Sequence, residues 1–256
     1  MLAADDLETA DRALSKLWTT VHHQGSTIEV AALAVPFLLR IAATGHPGLR
    51  ADTLILVATS ARCQHLGDGT REGLLRVAED PLMVGSLDCP VDWTIQAARD
   101  AVASDLHLPL LLLTDPDPRV RSAAAFVLAL ATGEVTRVAS ALHERLAAED
   151  DPAVQVTLIL AIAQLAREHR DAHASGWTRN LWSDPGRPAH VRIGAGLAWL
   201  CLVDDPAPSD LHSFLTDPDA QRHSSLFEQV PWIRPVSPGG DGLSWCIRDM
   251  LTPDSP

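Results

Sequence analysis

The chain has no tyrosine, only four phenylalanines and a single lysine, Lys16, in 256 residues. With so few aromatics, the core must be built from Ala, Leu, Val and Ile, and such small, straight packing suits closely stacked helices. Basic charge is almost all arginine, and with the heavy use of alanine this reads as the codon bias of a GC-rich bacterial genome. Cysteine is sparse: Cys63, Cys89, Cys201 and Cys246 are widely spaced and form no C-x-x-C pair, so a dense disulfide framework is excluded and reduced thiols are expected. No apolar run is long enough to span a bilayer. The opening MLAADDLETADRALSKLW is acidic where a signal peptide is basic, so a soluble, cytoplasmic protein without a membrane partner is expected. G-x-S-x-G, Walker and Rossmann patterns are all missing, which leaves the common hydrolase, nucleotide and dinucleotide chemistries without support.

What is present is acid. The formal charge of −13 repels phosphate backbones and favours basic partners or cationic ligands. Binding of nucleic acid is therefore not expected.

A stretch also recurs. Leu110 to Arg121 reads LLLLTDPDPRVR and Leu211 to Gln221 reads LHSFLTDPDAQ, with Thr114 and Thr216 separated by 102 residues, three steps of 34. Between them Asp151-Pro152-Ala153-Val154-Gln155 repeats Asp117-Pro118-Arg119-Val120-Arg121 at an offset of 34, and Pro188-Ala189-His190-Val191-Arg192 follows with two residues inserted. A period in this range predicts stacked helical pairs.

Helical spacing predicts helices over Leu7–His22, Thr27–Ala43 (with Ser26 and Glu29 as a capping box) and Leu49–Cys63, then Asp92–Ser104 and Leu106–Leu113. In Pro118–Ala131 and Pro152–Arg167, Asp117 and Asp151 are the expected N-caps, with proline at the first helical position. Val135–Ala148, His173–Trp182, Val191–Val203 and Ser209–Thr216 complete the pairs. Residues 64–91 read as an interrupted insertion with a short helix at Arg71–Glu79, and 219–256 as an irregular cap.

Two-helix units of this length, with D-P-x-V-R opening the second helix, resemble HEAT repeats, including those of phycobilisome-lyase type. Leu17 to Leu39, LWTTVHHQGSTIEVAALAVPFLL, is similar to the opening of uncharacterised actinobacterial HEAT-repeat proteins. The resemblance implies an all-α, right-handed solenoid over 1–256, degenerate at 1–108 and clearest at 109–218. It also implies a scaffold that binds proteins more often than an enzyme.

Three groups of residues could carry function. Trp18, His22, His23, Gln24 and Glu29 form the densest polar constellation; a ring and an imidazole four residues apart share a helix face, and imidazole can act as a general base. The competing reading is a histidine that meets the last helix carbonyls. Asp92-Trp93 sets an acid beside an indole suited to a cation, or else is an N-cap and a core tryptophan. The inter-helix acids Asp115, Asp117, Asp150, Asp151, Asp217 and Asp219 could line an edge that recognises a basic segment, or serve their own helix N-termini. His169 and His173 have metal-site spacing but no third ligand, so no metal and no cofactor is expected. The reading is a scaffold for a basic protein or peptide, bound on a concave face or the acidic edge. The alternative is a HEAT-fold enzyme of bacterial specialised metabolism, with His22, His23 and Asp92 acting on a small molecule or modified peptide held by Trp18, Gln24, Glu29 and Trp93.

Overall fold

A computed structural model describes residues 7–23, 26–27, 30–62, 68–77, 91–237 and 239–252, with the backbone alone at 21–23, 26–27 and 91–92. The protein is all-α. The helices are α1 (Leu7–Val21), α2 (Ala31–Thr44), α3 (Arg50–Ser60), α4 (Val91–Ser104), α5 (His107–Leu112), α6 (Pro118–Leu128) and α7 (Val135–Ala147). They continue as α8 (Pro152–Glu168), α9 (Ala174–Ser183), α10 (Ala189–Leu202), α11 (Ser209–Leu215), α12 (Pro218–Gln221), α13 (Ser224–Phe227) and α14 (Gly242–Leu251). Among the described residues, the only strands are β1 (His22–His23) and β2 (Ser26–Thr27), which pair antiparallel. Contacts divide the chain into two compact units, Met1–His65 with Arg76–Ala141, and Leu66–Leu75 with Leu142–Pro256; the division falls inside α7.

In the first unit α2 lies against α3, α4 and α5, while α3 and α5 both lie against α6. Helix α3 is buried on nearly every side, as is α6 from Ser122 to Leu128. Helices α2, α4 and α5 therefore form one layer and α3 with α6 the other. In the second unit α10 lies against both α8 and α9, and His143 of α7 meets Trp177 of α9 edge-on at 4.9 Å. Here too α8 and α10 are the buried helices. Gly194 allows their close approach, since a Cβ there would lie 3.1 Å from a Val156 methyl.

The repeat motif works as an N-cap. Asp117 accepts from the Arg119 N–H at 2.8 Å, Asp151 from those of Ala153 and Val154 at 3.0 Å, and Asp217 from that of Asp219 at 2.8 Å. In all three, proline occupies the first turn, where its missing N–H leaves no bond unmade. At α10 the motif is one residue longer, so Pro188 itself becomes the N-cap and no side chain caps the helix.

Several expectations are corrected. The expected helix start is corrected: Ser26 pairs with His23 in the β1–β2 hairpin, and α2 begins at Ala31 after Val30, which offers no side-chain cap, while Glu29 of the expected capping box lies outside the described residues. His22 also lies beyond the end of α1, so it does not share a helix face with Trp18. No helix forms over 71–77. Leu74 and Leu75 turn inward, and the carbonyls of Arg71 and Glu72 accept from Arg167 Nη1 at 3.1 and 3.0 Å in place of helical N–H groups. Arg71 in turn donates to the Met250 and Asp205 carbonyls, both at 2.7 Å, so residues 68–75 form a clip within the second unit. Residues 64–67 and 78–90 of the insertion lie outside the described residues. The C-terminal segment is more regular than expected, holding α13 and α14, and Trp232 Nε1 donates to the buried Gln164 of α8 at 2.8 Å.

Candidate functional site

The N-terminal constellation is described only in part. Trp18 is half-buried on α1, which lies against α3, the turn at Pro47–Leu49 and β1. His22 and His23 form β1, opposite Thr27 and Ser26, but their side chains lie outside the described residues, as do those of Asp92 and all of Gln24 and Glu29. The enzyme alternative is thus left with Trp18 and Trp93 as its described side chains. Among the described residues, no three His, Cys, Asp or Glu side chains are grouped to hold a metal ion, and no helix is long and apolar enough to cross a membrane.

The acidic turns are largely engaged in the fold. Asp115 accepts from the Asp117 N–H at 2.9 Å and forms an ion pair with Arg50 at 3.0 Å. Thirty-four residues on, Glu149 repeats the arrangement, accepting from the Asp151 N–H at 3.0 Å and pairing with Arg145 at 3.0 Å. The arrangement extends to the backbone: Arg121 donates to the Asp115 carbonyl at 2.9 Å, and Gln155, its repeat equivalent, to the Glu149 carbonyl at 2.6 Å. Asp117, Asp151 and Asp217 are N-caps, and Asp219 pairs with Arg222 at 3.0 Å on the surface. Asp150 stays exposed between Glu149 and Asp151. These acids serve the helix starts first.

Two histidines of the second unit, His143 and His190, are shifted by desolvation. Desolvation holds His143, against Trp177, below the usual imidazole range, with Asp171 opposing that shift. Burial also lowers His190, with nearby His223 adding to the effect and Asp151 opposing it; His190 Nε2 lies 2.7 Å from Gln155 Oε1. Trp182 and Trp199 pack edge-to-face in the core.

The expectation of Trp93 as a core residue is corrected. Trp93 is 59% exposed, in the first turn of α4. Three large side chains on α2 and α5 are exposed at least as much: Leu33 (74%), Phe37 (64%) and Leu111 (66%). Val30, at the start of α2, is exposed as well. Helices α2 and α4 run in the same direction. Arg40, in the C-terminal half of α2, reaches Asp105 just past α4 at 3.4 Å, while β2, just ahead of α2, also contacts α4. A rise of about 1.5 Å per residue separates Ala31 from Arg40 by roughly 13 Å, so the contacts of β2 and of Arg40 fall toward opposite ends of α4. Val30, Leu33 and Phe37 therefore run along a helix whose neighbour presents Trp93, Gln96 and Asp100 as its exposed stripe.

The α2 residues were missed although the sequence carried a signal. AALAVPFLLRIAAT has one charged residue, Arg40, in 14, so an apolar face must be left over unless the helix is covered on every side.

No family model, no curated protein and no solved structure matches the chain.

Proposed function

We propose that the protein is a HEAT-like helical-repeat module, a right-handed solenoid, that binds a basic protein or peptide. The observation that carries the reading is the combination of a −13 charge with large apolar side chains left on an open helix face of the first unit. Monomeric proteins rarely expose contiguous apolar surface without a partner, and a field of this sign steers basic ones. The repeat reading draws support from the 34-residue recurrence of the cap, the acid two residues before it and the side chain that grips that acid's carbonyl. Packing within each unit agrees with it, since helices of corresponding place in the pair lie together: α2 with α4 and α5, α3 with α6, α8 with α10.

The test is a calorimetric titration with an arginine-rich peptide and with its glutamate-substituted counterpart at low and high salt. The reading predicts binding of the first alone, weakening as salt rises. Equal binding of both, or binding indifferent to salt, contradicts it.

A further inference from the structure

Helix α2 is apolar on every side except at Arg40 and Thr44, a composition typical of helices surrounded by protein. Ala31, Val35, Leu38, Leu39 and Ala42 are buried against the neighbouring helices, but Val30, Leu33 and Phe37 are not. Their spacing of three and then four residues lines them up along one side, and the parallel α4 adds Trp93. Among the described residues of α2 and α4, the exposed charges beside this surface are Arg40 and Asp100. Arg40 is held by Asp105, while Asp100 continues the α4 stripe as an exposed carboxylate that accepts from Gln96 Nε2 at 2.8 Å.

From this we infer that the α2–α4 face docks an amphipathic helix whose apolar stripe is flanked by Arg or Lys, an inference that rests on the basic-partner reading above. A stripe at helical spacing is matched by another helix with apolar residues at i, i+3, i+4 and i+7. Charge decides the occupant. A second copy of this chain would bring two Asp100 rims and two bodies of −13 together, whereas a basic flank turns that repulsion into attraction.

The experiment uses the full chain and a labelled synthetic helix with Leu at i, i+3, i+4 and i+7 and Arg between, read by fluorescence anisotropy. Its controls are a scrambled peptide of the same composition and a Glu-for-Arg peptide. Phe37→Gln and Trp93→Gln, both at exposed positions, should each weaken binding roughly tenfold or more, as truncation of an aromatic anchor does. Trp245→Gln, at an exposed tryptophan of the second unit, should leave it unchanged, and circular dichroism should show all three variants folded. If the scrambled peptide binds as well as the helix, or if Phe37→Gln and Trp93→Gln bind like the parent, the α2–α4 site is overturned while the basic-partner reading stands. Binding of the Glu peptide overturns both. A dimer in light scattering that Phe37→Gln dissociates overturns the inference in favour of a second copy.

Discussion

Asp117 and Asp151 each close a helix start with a single carboxylate, and the fold depends on them more than their surface position suggests. Replacing either with alanine leaves first-turn N–H groups unmet, and we expect a loss of about 1 kcal/mol each, measured as a lower urea midpoint at unchanged slope. At Asp150, which no helix start uses, the same substitution should fall within about 0.5 kcal/mol of the parent. The buried thiols behave as core atoms. Desolvation pushes Cys201 up to about 12 and raises Cys246 as well, so neither is a thiolate near neutral pH. In a Cys63→Ser, Cys89→Ser background, both should resist a maleimide at pH 8 until denaturant is added. Their folded-state pKa values lie above the unfolded value, so their contribution to stability is complete below about pH 9 and declines as pH rises beyond it. Rapid labelling of the native protein would contradict this account.

At the scale of elements, helix-to-helix approach is set by small residues. Gly194 seats α10 against Val156 of α8, and Gly196 faces Leu211 at 3.0 Å from its would-be Cβ. Gly194→Val should therefore cost about 1–3 kcal/mol through overpacking, even though valine lies within the apolar composition of α10. A thermal melt indistinguishable from the parent would overturn that packing argument. Most helices were legible in the sequence because periodicity and proline position report them directly: the D-P starts of α6 and α8 fall where the motif put them. The failures have identifiable causes. Ser26 met a competing demand from the hairpin, which no local pattern announces. Residues 71–77 had helical composition, but the carbonyls of Arg71 and Glu72 bond to Arg167, nearly a hundred residues on, and no window of sequence contains that partner. Trp93 looked like core because tryptophan usually is; its exposure follows from which side of α4 faces α2. Phe37 and Leu33 went unnoticed for the opposite reason, since an apolar run shows that a helix is greasy but not which side stays uncovered.

For the molecule as a whole, acid and grease must be explained together. On the proposed reading, the −13 charge keeps copies apart, while the α2 stripe gives a partner of opposite charge something to hold. The inter-helix acids contribute to that charge while Asp115, Asp117, Asp151 and Asp217 also accept backbone N–H groups at their own helix starts. Affinity should accordingly depend on salt through the field and on Phe37 through contact. The most direct test is amide hydrogen exchange of the full chain with and without a saturating arginine-flanked amphipathic peptide. The account predicts added protection concentrated in Ala31–Thr44 and Val91–Ser104, with α8 and α10 unchanged. Protection confined to the turns around Asp117 and Asp151, or none in α2, would contradict it.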